Sequence, residues 1–124
     1  MSEIVTDKLS IDTTGSAGSA TGSGTTLLMM GYLESIRLDY HASAPVTTDL
    51  TLVDNSTGET LLTLSNTVTD VTVPLRQQMK DSTGTAITGA YDRVPLAGTL
   101  TINLAQCDAL TAAVVVYIKY LRIT

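Results

Sequence analysis

Apolar positions along this chain recur mostly at every second residue, the period of strands whose successive side chains point to opposite faces. The longest such run covers residues 112–123, where Val114, Val116, Ile118 and Tyr120 share one face and Val115, Tyr117, Leu121 and Ile123 the other. Its β-branched and aromatic content disfavours a helix, and its short length, with Lys119 and Arg122 inside it, excludes a bilayer span. With two apolar faces it is expected at the centre of the fold, flanked by strands and covered on both sides.

The remaining pattern predicts about eight strands and no helix. Residues 3–12 alternate loosely, with Val5, Leu9 and Ile11 on one side, as in an edge strand or an arm docked on a neighbour. Residues 13–25 contain only Thr, Gly, Ser and Ala. That composition cannot repay its ordering entropy by burial, so it predicts a flexible loop or one ordered by a partner. Residues 26–30 read as a short strand, interrupted at Gly31 by a bulge or a close backbone approach. Residues 32–41 read as a half-buried strand, with Tyr32, Ile36, Leu38 and Tyr40 on one face and Leu33, Ser35, Arg37, Asp39 and His41 on the other. Glu34 is the exception on its apolar side.

A turn follows at residues 42–48 around Pro45, then strands at 49–53 and 60–64 joined by Asp54-Asn55-Ser56-Thr57-Gly58-Glu59. This is the clearest hairpin of the chain, since Asp and Asn start turns through side-chain bonds and Gly58 supplies positive φ. Asn66 turns the chain, and residues 67–73 form a Thr/Val strand halted by Pro74. Residues 75–90 show no strand period and predict a long contact loop. Residues 91–96 cross the fold irregularly or as an edge, residues 99–104 alternate as a strand with one wet face, and residues 106–111 turn into the final strand. The organisation is thus residues 1–12 as strand or arm, 13–25 as loop and 26–124 as sandwich, one domain overall, with jelly-roll and immunoglobulin-like strand orders both open.

Composition narrows the core and the partners. A chain of 124 residues, 44% hydrophobic but without Phe or Trp, can bury one aliphatic core without metal or disulfide staples. A net charge of −5 gives no basic footprint for nucleic acid or an anionic membrane. Cys107 is the single cysteine, so no internal disulfide forms. The start Met1-Ser2-Glu3 has neither the basic nor the apolar stretch of a signal peptide, and predicts folding in the cytoplasm where the chain is made.

Candidate chemistry is sparse. His41 is the only histidine, and with Asp39 two residues before it an Asp/His pair is conceivable, against the plainer reading of an ordinary strand histidine. His41 and Cys107 are too few for zinc. Asp54, Asn55, Ser56 and Glu59 supply oxygens, but their spacing departs from a calcium loop and reads as a polar turn. Asn55-Ser56-Thr57 matches a glycosylation acceptor that matters only in a secreted eukaryotic protein. The glycine-rich segment between Gly15 and Gly24 lacks the lysine and the helix of a phosphate loop. Tyr91 could carry a sugar contact or simply pack.

The run Thr48-Asp49-Leu50-Thr51-Leu52, Thr57-Gly58-Glu59 with Leu61-Leu62, Pro74 with Arg76, Tyr91-Asp92-Arg93-Val94-Pro95 and Gly98-Thr99-Leu100 resembles capsid cement or decoration proteins of tailed bacteriophages, over roughly residues 30–124. The resemblance implies a jelly-roll-like antiparallel β-sandwich without enzymatic activity or cofactor. It implies a virion protein on the capsid surface, commonly a homotrimer bridging major capsid protein subunits, with no nucleic-acid, membrane or small-molecule partner. Under it, Ile4, Val5, Arg76, Met79, Lys80 and Tyr91 are the expected contact residues. The alternatives are a head-completion or tail component, and a carbohydrate-binding or host-attachment sandwich.

Overall fold

A computed structural model describes residues 2–124. Ten strands form among them: β1 (Ser2–Ile11), β2 (Ala20–Thr25), β3 (Met29–Tyr40), β4 (Asp49–Asp54), β5 (Glu59–Leu64), β6 (Val71–Val73), β7 (Arg76–Lys80), β8 (Ala86–Gly98), β9 (Leu100–Cys107) and β10 (Val114–Ile123). They make two antiparallel sheets packed face to face, one ordered β1-β10-β3-β8-β7 with β6 also on β3, the other β2-β9-β4-β5.

The pairings β1 with β10, β2 with β9, β3 with β8 and β4 with β5 are nested one inside the next. A long hairpin rolled up so that β10 also meets β3, and β9 also meets β4, gives this order. That is the jelly roll, and it settles the strand order that periodicity left open. The strands not expected are β2 and β7, while the strand expected over residues 67–73 is reduced to β6, its last three residues.

The core is the space between the sheets. Ile36, Leu38, Val114, Val116 and Ile118 face Leu50, Leu52, Leu100, Ile102 and Leu104, all essentially inaccessible to solvent. Burying each such side chain stabilises the fold by about 1.5–3 kcal/mol. β10 is central in its sheet as expected, but it is covered on one side only. Val115, Tyr117 and Leu121 are half-buried and Ile123 is exposed, because the second sheet packs against the inner face and none of the described residues covers the outer one.

Three other expectations are corrected. Residues 20–25 are not loop but strand β2, and the glycines explain it: a Cβ at Gly22 would come 2.1 Å from the Asp12 carbonyl oxygen, and one at Gly24 would come 2.5 Å from Ile11 Cδ1. Here glycine permits close layering rather than flexibility. Residues 26–41 are not two strands. Thr26, Leu27 and Leu28 precede a single strand, β3, that runs on through Gly31. Residues 75–90 are mostly hairpin, with β7 pairing on β8.

The face assignment within β3 also changes. Ser35 stands opposite Lys119 and Leu33 opposite Tyr120, which leaves Glu34 as an extra residue. This bulge shifts the alternation by one, so Leu33 is buried and Tyr32 points out. Gly31, at φ 145°, accepts the backbone of β10 so closely that a Cβ would lie 1.8 Å from the Leu121 oxygen. A close approach at Gly31 is what the interruption predicted.

Candidate contact surfaces

The outer face of the six-stranded sheet is banded. Register places Ile4 opposite Leu121, Leu121 opposite Tyr32, and Tyr32 opposite Pro95, one apolar row across four strands. Met30 beside Ala97, and Ile123, extend it. Ile4 is 56% exposed in this row. The neighbouring band is polar and cationic: Thr6, Lys119 and Ser35 form one row, and Lys8, Tyr117, Arg37 and Thr72 the next.

A two-stranded arm projects beyond the sandwich. All five residues of β7 are exposed, as are Ala86, Ile87, Thr88 and Gly89 of β8. Side chains on both of its faces therefore meet solvent, among them Met79 at 44%, Ile87 at 43% and Tyr91 at 61% exposure. Its base is held by Glu34, the bulge residue. The Arg93 guanidinium donates to Glu34 Oε1 at 2.7 Å, Arg76 lies 3.7 Å from Oε2, and Arg76 also donates to the Glu34 carbonyl at 2.9 Å. Arg93 stacks 4.9 Å above the Tyr32 ring, so the arm base and the apolar row share a residue. The bond to Glu34 is the main cause holding the Arg93 pKa above its ordinary value.

The tip is ordered by Asp81. Its Oδ1 accepts the Thr83 hydroxyl at 2.6 Å and the backbone N–H groups of Thr83 and Thr85 at 2.8 and 3.1 Å. These bonds, the Thr83 hydroxyl foremost, hold the carboxyl below the usual carboxylate range. Between the arm and the β4–β5 turn lies an open cleft lined by Glu59, Gln77, Gln78, Met79, Lys80 and Asp92. It contains no aromatic side chain.

The expected contact residues therefore separate. Ile4 joins the apolar row, Arg76 the arm base, and Met79, Lys80 and Tyr91 the arm itself, whereas Val5 turns inward and packs against the core. The residues not anticipated are Met30, Tyr32, Leu121 and Pro95, and Tyr117 in the cationic band. Recognising the Glu34 bulge would have turned Tyr32 outward. An open outer face for β10 would have done the same for Tyr117.

The other candidates are occupied locally. The His41 ring nitrogen Nδ1 accepts the Ser43 N–H at 3.0 Å, and no bond joins it to Asp39 among the described residues. Asp54 is buried and accepts both the Ser56 N–H and the Ser56 hydroxyl, while the Asn55 amide donates to Thr99 and Thr101. The Asp54 bonds are turn contacts, as the polar-turn reading expected, and the Asn55 bonds tie that turn to the start of β9. Among the described residues no His, Cys, Asp and Glu side chains gather as a metal site, and Cys107 is buried as a free thiol.

No family model matches the chain, and no curated protein matches it. Among solved structures it is similar to a family 29 carbohydrate-binding module mutant complexed with cellulohexaose, at 17% identity over 95% of this chain and 78% of that one, with a TM-score of 0.34. It is similar also to a family 61 carbohydrate-binding module in complex with β-1,4-galactotriose, at 11% identity over 98% and 88% of the two chains, with a TM-score of 0.32. At these scores the likeness carries nothing about ligands.

Proposed function

We propose that this chain is a non-catalytic assembly protein of a tailed-phage virion, docking on the capsid surface and bridging major capsid subunits, with the β7–β8 arm as its principal contact element. The observation that carries the reading is the arm's exposure on both faces, with Met79, Ile87 and Tyr91 uncovered. An isolated two-stranded ribbon is marginal in water. This one buries little of its own apolar surface, and covering by a partner offsets the entropy of holding it out. The apolar row from Ile4 to Pro95 gives a second surface, suited to a neighbouring copy in a homotrimer.

Co-sedimentation with expanded phage heads tests the docking. Wild-type protein should bind saturably, and the triple variant Met79→Ser, Ile87→Ser, Tyr91→Ser should remain folded and stay in the supernatant. Equal binding by the two would remove the arm from the mechanism, and absence of binding by either would remove the head.

A second reading, a carbohydrate-binding or host-attachment module, is favoured by Tyr91, the most exposed aromatic of the chain, since a ring with a polar tip suits sugar stacking. Retention on a glycan array that disappears in Tyr91→Ala supports it. An unchanged array profile removes Tyr91 from that role.

A further inference from the structure

We propose that the cationic band of the outer face is a binding groove for an acidic polysaccharide carrying a carboxylate on its sugar rings, with Tyr117 as the floor. The groove is lined by Thr6, Ser35, Arg37, Thr72, Tyr117 and Lys119, with Lys8 beside it. This deepens the carbohydrate reading by naming another site and a sugar class, and is independent of Tyr91 and of the docking arm.

Charge is the first argument. The chain has seven Lys and Arg residues. Arg76 and Arg93 pair with Glu34, and Arg122 with Glu3. Among the described residues Lys8, Arg37, Lys80 and Lys119 form no ion pair, and all but Lys80, which lies on the arm, fall in this one band of a protein of net charge −5. Asp39 takes the next outward position of β3, opposite Val115, and does not line the groove. An anion is the complement of such a band.

The spacing of the charges selects among anions. Lys8, Tyr117 and Arg37 lie on three adjacent strands, at about 4.8 Å per strand, so the two cations flank the ring instead of converging on one point. A single phosphate or sulfate would have to draw both long side chains in over the ring. Nucleic acid, with a charge every ~1.7 Å, would be under-neutralised and repelled by the remaining acids. A chain with one carboxylate per sugar spreads its charge at the scale of the groove, and the Arg37 fork matches a planar carboxylate.

The floor selects a ring. Tyr117 is half-buried, with its ring partly open and the Lys8 ammonium 5.8 Å from its centroid. An exposed lysine is displaced easily, and swinging off the ring it can meet the carboxylate of the sugar that replaces it. Thr6, Ser35 and Thr72 line the groove beside Tyr117, and the Arg37 bond to Thr72 is long at 3.4 Å, leaving guanidinium donors for a carboxylate or sugar oxygen. An acidic peptide is disfavoured because the groove lies on a sheet face, where an added strand finds no open backbone edge.

The test is calorimetric titration with tri-galacturonate, its methyl ester and poly-glutamate, on wild-type protein and on Tyr117→Ala, Arg37→Gln, Lys119→Gln and Tyr91→Ala, each checked for an unchanged thermal midpoint. Tri-galacturonate should bind. The methyl ester should bind at least about tenfold more weakly, and so should the three groove variants. Should Tyr117→Ala lower the midpoint, the two exposed cation variants alone decide. Poly-glutamate binding as well as the sugar, ester and acid binding alike, affinity unchanged in the groove variants, or no binding would each overturn the assignment. Loss of binding in Tyr91→Ala alone would overturn the groove while leaving the Tyr91 reading standing.

Discussion

Within the one strand β8 two regimes meet at Arg93. Beyond it Val94 and Leu96 are buried between the sheets, and inside the arm no residue from Ala86 to Asp92 is. The backbone pairing is antiparallel throughout, on β3 at one end and on β7 at the other. What differs is coverage: the first part belongs to a body stabilised by its own apolar burial, the second to a ribbon whose side chains have been left for something else. The strand shows that pairing and burial are separable, and it is this ordered element without burial that the proposed function assigns to contact.

That contrast is broken most severely from the buried side. Ile118→Ala, at a fully buried position, should cost about 2–5 kcal/mol in urea unfolding. A loss under about 1 kcal/mol would mean the core is far looser than its burial indicates. Gly31→Ala should cost about 3 kcal/mol, because positive φ and the Leu121 oxygen both oppose a Cβ there. A neutral result would show that β3 and β10 can part at this point.

Tyr40 gives a pH test of the same interior. Its hydroxyl is buried without a partner among the described residues, and burial, helped by Asp70 and Cys107, pushes its pKa up to about 12. Its contribution is fully present below pH 10. As pH rises past 10 the unfolded phenol ionises while the folded one holds its proton until about 12. Stability should therefore fall across that window by about 2 kcal/mol. Tyr40→Phe should flatten most of that slope in unfolding curves at pH 9 and 11.5, and an unchanged slope would place its origin elsewhere. Smallest of all should be the triple arm variant Met79→Ser, Ile87→Ser, Tyr91→Ser, within about 0.5 kcal/mol of wild type. A large loss would show that the arm packs on the sandwich after all.

The legible parts of the fold are those where burial writes a period of two. The hairpin of β4 and β5, the wet and dry faces of β9 and the inner face of β10 follow from alternation and turn residues alone. Two features hid the rest. The bulge at Glu34 shifts the phase of β3, so a correct period produced a reversed assignment for Tyr32 and Leu33. The arm has no dry side, so residues 75–90 show no period to read. In β2 the composition of a flexible segment served close packing instead, which only the neighbouring backbone of Asp12 reveals. The exposure of Ile4, Arg76 and Met79 is legible as apolar or long side chains outside a predicted core, whereas the rows that assemble across strands depend on register.

The place of β10 bears on how the molecule is made. It is the last of the ten strands to leave the ribosome, yet it fills the seam between β1 and β3. Until Val114 and the residues after it emerge, the nascent chain holds two unsatisfied strand edges and an open half-core bearing Ile36 and Leu38. The domain closes only after this final segment arrives, and at about 5–20 residues per second of elongation the incomplete sheet stands exposed for several seconds. A ribosome that stalls before Val114 therefore releases a polypeptide with sticky edges rather than a slightly shortened sandwich.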